Sequence, residues 1–115
     1  MPDPALPSPA LLRVLAEPVR RAIVERLALE PRVLAGEIAD HVWDHFHLAQ
    51  PATSKHLRRL LDARVVEDDV QGGARYYSLR RAPFDALARW AHDLATPLPP
   101  DAAPFSVWRL PPFRA

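Results

Sequence analysis

From Gln50 to Leu61 the chain reads QPATSKHLRRLL, a stretch rich in side chains that hydrogen-bond to bases and phosphates and free of carboxylates. Gln50, Thr53, Ser54, Lys55, His56, Arg58 and Arg59 supply its amide, hydroxyl, ammonium, imidazole and guanidinium groups. Amides and guanidiniums can grip base edges in the major groove, while hydroxyls and cations hold phosphate oxygens. For His56 the reading is a hydrogen bond to phosphate or a base edge, with protonation strengthening a phosphate contact. Leu57, Leu60 and Leu61 recur at helical spacing, and Pro51 suits a first turn, where its missing N–H costs nothing. The stretch therefore predicts a short amphipathic helix of a size that enters the major groove. A plain solvated helix beside a core has the same periodicity, so the surrounding elements decide between them.

After this helix, Val65 and Val66 open a strand-like run, Gln71-Gly72-Gly73 offers a tight reversal, and Ala74 to Leu79 (ARYYSL) returns with strand formers. A recognition-like helix followed by a hairpin predicts a winged helix-turn-helix, mainly α with a β-hairpin wing. Arg75, beside the glycines, is placed to reach the DNA backbone; a solvated hairpin charge is the plainer alternative. Glu67, Asp68 and Asp69 either face away from DNA or trim its non-specific affinity.

Prolines mark the limits of the folded unit. Pro2, Pro4, Pro7 and Pro9 crowd the start, and Pro97, Pro99, Pro100, Pro104, Pro111 and Pro112 crowd the end. This gives a flexible segment over 1–7, a folded domain over 8–96 and a Pro-rich apolar tail over 97–115. Ser8-Pro9 is an N-cap and first-turn pair for a helix carrying Leu11, Leu12, Val14 and Leu15. Pro18 opens a second helix with Val19, Ile23 and Leu27 along one side, and a third runs from about Ala35 with Ile38, Ala39 and Val42 inward. Pro83 starts a last helix striped with Phe84, Leu87, Ala88, Ala91 and Leu94, with Trp90 beside the stripe. The predicted order is four helices, two strands and a helix.

The formal charge of +1 over 115 residues is nearly neutral, so a nucleic-acid partner is argued from local clustering and not from the total. No cysteine is present, which removes disulfides, thiolate metal sites and thiol nucleophiles. With no Gly-rich phosphate loop and no recognisable grouping of serine, histidine and acid, an enzyme is not expected. No apolar run approaches the roughly 20 residues that span a bilayer, and no signal-peptide layout opens the chain, so a cytoplasmic location is expected.

Taken together, AEPVRRAIVERL (Ala16 to Leu27), AGEIADHV (Ala35 to Val42), LAQPATSKHLRRLLDARVV (Leu48 to Val66) and GARYYSL (Gly73 to Leu79) resemble the ArsR/SmtB-type bacterial repressors. The resemblance covers about residues 11–95. It implies a homodimer formed through the first and last helices, an inverted-repeat operator, and release by an effector. It also implies that Gln50, Thr53, Ser54, Lys55 and His56 lie on the DNA-reading helix and Arg75 on the wing. A chain this short with apolar stripes on two terminal helices also gains by two-fold pairing. The competing reading is a winged-helix module that has exchanged DNA for a protein partner.

The sequence departs from the family pattern in several places. Ala49 stands where a polar residue usually caps the reading helix. About four surplus residues, Trp43-Asp44-His45-Phe46, precede that helix. Trp43 and Phe46 either cover the core or wall an effector pocket, with Trp90 and Trp108 as further aromatic candidates. His41 and His45, four residues apart, share a helix face and with a carboxylate and a further ligand could hold Zn²⁺ or Ni²⁺; otherwise no cofactor is expected. In the tail, Phe105, Val107, Trp108, Leu110 and Phe113 favour docking over disorder.

Overall fold

A computed structural model describes residues 6–101. Five helices and three strands run in the order α1 (Pro9–Leu15), α2 (Pro18–Leu27), β1 (Val33–Leu34), α3 (Ala35–Phe46), α4 (Gln50–Asp62), β2 (Val66–Gln71), β3 (Ala74–Leu79) and α5 (Ala82–Ala95). The expected elements are all present, and β1 is an addition. Its Val33 and Leu34 pair antiparallel with Tyr77 and Tyr76, making the hairpin a three-stranded sheet of order β1-β3-β2. Two residues are too few to display an alternating pattern, so this strand is recognisable only by its partner.

Local chemistry sets the helix starts. Ser8 Oγ accepts from the Leu11 amide at 3.4 Å, with Pro9 in the first turn of α1. At α2, Glu17 Oε2 accepts from the amides of Val19 and Arg20 at 2.8 and 3.2 Å, ahead of Pro18. Both caps satisfy amides that have no partner inside their helices. The wing turns at Gly72 and Gly73, whose φ values of 58° and 79° match the double left-handed turn that twists a two-residue hairpin correctly.

The core is one cluster in which Leu11 and Val14 of α1, Ile23 and Leu27 of α2, Ile38 and Val42 of α3, and Leu57 and Leu60 of α4 meet Val33, Val65, Val66 and Tyr77 of the sheet. Each fully buried aliphatic side chain contributes about 1.5–3 kcal/mol relative to exposure. Helix α2 is central, packing against α1, α3 and α4. Leu12, beside the buried Leu11 on α1, is 42% exposed. Helix α5 buries no residue fully: Phe84 and Leu87 rest on the core, while Trp90 and Leu94 stay 37% and 69% exposed. Among the described residues no helix is long and apolar enough to cross a membrane.

Candidate nucleic-acid interface

Helix α3 continues through the Trp43–Phe46 segment and ends at His47, whose left-handed backbone (φ 54°) lets its amide bond the Trp43 carbonyl at 2.9 Å. Leu48 and Ala49 then complete the turn into α4. Ala49 occupies the cap position and offers no side-chain acceptor, as the sequence suggests. The Ala49 carbonyl does accept from the amides of Ala52 and Thr53, at 3.0 and 3.2 Å, so of the first turn's amides Gln50 alone has no partner among the described residues.

The leucines of α4 point inward, and Gln50, Ser54, Lys55, Arg58 and Arg59 are exposed. Thr53 corrects the sequence reading. Expected among the base-reading residues, it is 2% exposed, and its Oγ1 finds no hydrogen-bond partner among the described residues. It lies four residues before Leu57 and seven before Leu60, on the helix stripe that packs inward.

The wing closes the other side of the face. Ser54, Arg58 and Leu61 of α4 line a cleft of about 370 Å³ with Asp68, Arg75 and Tyr77 of the hairpin. Three of the proposed DNA contacts, Ser54, Arg58 and Arg75, thus converge from two elements on one concave surface. Of the three acids, Asp68 faces this cleft and forms an ion pair with Arg75. Arg32, not anticipated from the sequence, braces the sheet: its guanidinium lies 4.1 Å from the centre of the Tyr76 ring and donates to Gln71 Oε1 at 2.6 Å. Its signal was the cation next to β1, legible only once β1 is paired with β3.

His56 is not a free ring on the helix surface. Its Nδ1 is 3.2 Å from Arg20 Nη1 and 3.8 Å from Glu17 Oε2. Burial holds its pKa below the ordinary 6.5, Glu17 opposes, and Arg20 and Arg59 add to the lowering. Burial thus favours the neutral ring over the protonated form that would strengthen a phosphate contact.

Phe46 packs on the core, whereas Trp43 is 53% exposed and meets His47 edge-on at 5.8 Å, so the two face different surroundings. His41 and His45 do share a face, their ring centres 4.3 Å apart, and His45 Nδ1 bonds the His41 carbonyl at 2.9 Å. Burial, His45 and Arg26 hold the His41 pKa below its ordinary value. Among the described residues no group of three or more His, Cys, Asp or Glu side chains gathers as a metal site. Trp90 sits on the exposed side of α5, and Trp108 with the rest of 102–115 lies outside the described residues.

A helix-turn-helix domain family matches residues 15–69. The transcriptional repressor SdpR of Bacillus subtilis is 31% identical over 80 residues, covering 70% of this chain and 83% of SdpR. The HTH-type transcriptional regulator Rv2034 of Mycobacterium tuberculosis is 43% identical over 75 residues, covering 65% of each chain. Among solved structures, an ArsR family transcriptional regulator superposes with a TM-score of 0.62 at 27% identity, over 74% of this chain and 82% of its own. A possible transcriptional regulator for arsenical resistance superposes at 0.60 with 30% identity, over 75% and 84%. The chain belongs to the ArsR/SmtB-type winged helix-turn-helix repressors. It is a DNA-binding transcriptional regulator, and its relatives are regulators and not enzymes. In this family setting α4 is the second helix of the helix-turn-helix and the β2–β3 hairpin the wing.

Proposed function

We propose that this ArsR-type regulator acts as a homodimeric repressor that reads an inverted-repeat operator, each protomer inserting α4 into the major groove while its wing follows the backbone. The observation that carries the interface is the convergence of Ser54 and Arg58 with Arg75 on one cleft. Lys55 and Gln50 extend that surface, and the bare amide of Gln50 at the helix start offers a further donor to phosphate. Dimerisation is supported by the apolar side chains that stand exposed among the described residues: Leu12 on α1, Trp90 and Leu94 on α5, and Leu98 beyond it. The start of α5 and the segment leading into α1 share one mainly apolar hollow of about 630 Å³, where Leu6, Pro7, Pro9, Ala82, Pro83 and Ala86 lie beside Arg64 and Arg80, so the two terminal helices begin next to each other. A second copy related by two-fold symmetry covers both stripes at once.

Fluorescence anisotropy against duplexes from the gene's own upstream region tests this. Arg58→Ala and Arg75→Ala should each weaken binding and, where the side chain holds phosphate, reduce the salt slope by about one. Wild-type protein that binds operator and scrambled duplex equally would refute sequence-specific reading. Absence of salt-dependent affinity would favour the protein-binding alternative.

A further inference from the structure

Arg20 joins three elements at one guanidinium. Its Nε donates to the Val14 carbonyl at 2.7 Å, satisfying an acceptor in the last turn of α1 that has no partner within that short helix. Its Nη1 reaches across to His56 Nδ1 on α4 at 3.2 Å. A guanidinium has donors only, so Nδ1 must be the acceptor, and in a neutral imidazole the single proton then sits on Nε2. Glu17 Oε2, 3.8 Å from the same Nδ1, is beyond hydrogen-bond range and is already occupied by the amides of Val19 and Arg20. Arg59 is the other charged group acting on the ring. The ring also lines the outer concavity of α4 with Ser54, Lys55, Arg58, Arg59 and Asp62, on the helix surface that the DNA-binding reading turns toward the duplex.

We propose that Arg20 is a positioning residue for DNA recognition, fixing His56 as its Nε2–H tautomer so that one oriented N–H donor is presented to an acceptor on the duplex. This rests on the DNA-binding reading above. It also makes α1 part of the reading apparatus, because a shift of α1 that carries the Val14 carbonyl away releases the guanidinium and with it the ring. On acidification Nδ1 is protonated, can no longer accept from Arg20, and is drawn to Glu17, so the Nε2–H persists but Arg20 no longer fixes its direction.

Two measurements test the proposal. In ¹⁵N-detected NMR of the free wild-type protein at pH 7.5, His56 should show an unprotonated Nδ1 and a protonated Nε2; a protonated Nδ1 would overturn the assignment with no DNA involved. In an operator-binding cycle, Arg20→Met and His56→Ala should each cost roughly three- to tenfold in affinity, and the double variant should bind no worse than His56→Ala alone. Additive losses would show that Arg20 acts independently of His56 and would overturn the proposal. Should Arg20→Met not fold, Arg20→Gln replaces it, its shorter amide being able to hold the Val14 carbonyl but not His56 as well. Equal losses on operator and scrambled duplex identify the acceptor as phosphate, and losses confined to operator identify a base edge. Failure of wild type to bind any duplex would instead sink the DNA reading, and with it the reading role of His56, whatever the tautomer.

Discussion

Thr53 shows how one side chain can look like chemistry and serve packing. Its buried hydroxyl lacks a partner among the described residues, so Thr53→Val, which substitutes a methyl of similar size, should leave operator affinity unchanged and raise stability by up to about 1 kcal/mol in urea denaturation. Relaxed preference at one operator position would restore Thr53 as a reader. Two histidines make stability depend on pH. The folded-state pKa values of His41 and His56 lie below the ordinary 6.5, mainly through burial, so as pH falls the unfolded chain takes up protons first. Their contribution is complete above pH 6.5 and is lost as pH drops below it. Denaturation midpoints should be higher at pH 7.5 than at pH 5.5, and His56→Gln should narrow the gap; an unchanged gap would remove His56 as a source. The sequence could show neither the burial of Thr53, where a polar residue type outweighed its sevenfold register with Leu60, nor the Arg20–His56 contact, which spans 36 residues.

Helices α1, α2 and α4 and the hairpin were legible because each carries its own punctuation, Ser8-Pro9, Pro18, Pro51 and Gly72-Gly73, while α3 was legible from its apolar spacing alone. β1 was not, since its identity lies in Tyr76 and Tyr77, more than 40 residues away. The cleft between α4 and the wing was half legible: Ser54, Arg58 and Arg75 were named, but which acid joins them depends on strand register, and that puts Asp68 opposite Tyr77. Asp68 competes with phosphate for Arg75. Asp68→Asn should therefore raise affinity for non-specific duplex several-fold and steepen its salt dependence by about one, as one more cation is released to the backbone. A decrease would mean that the ion pair is needed to aim Arg75.

At the scale of the whole molecule, the described residues form one satisfied core and leave one apolar face exposed. Phe84 and Leu87 tie the start of α5 to the core, but Trp90 and Leu94 are covered by none of the described residues, and Leu12 of α1 shares their exposure. Leu94→Glu should leave the protomer folded, because that side chain is exposed, yet shift sedimentation from dimer to monomer and weaken operator binding by about a hundredfold or more through lost bivalency. The account as a whole depends on two α4 helices reaching one duplex together. Hydroxyl-radical footprinting over the upstream region tests this most directly: it should reveal two protected segments on one face of the duplex, centred about ten base pairs apart, and both should vanish when about five base pairs are inserted between them. A single protected segment, or protection indifferent to that insertion, would contradict it.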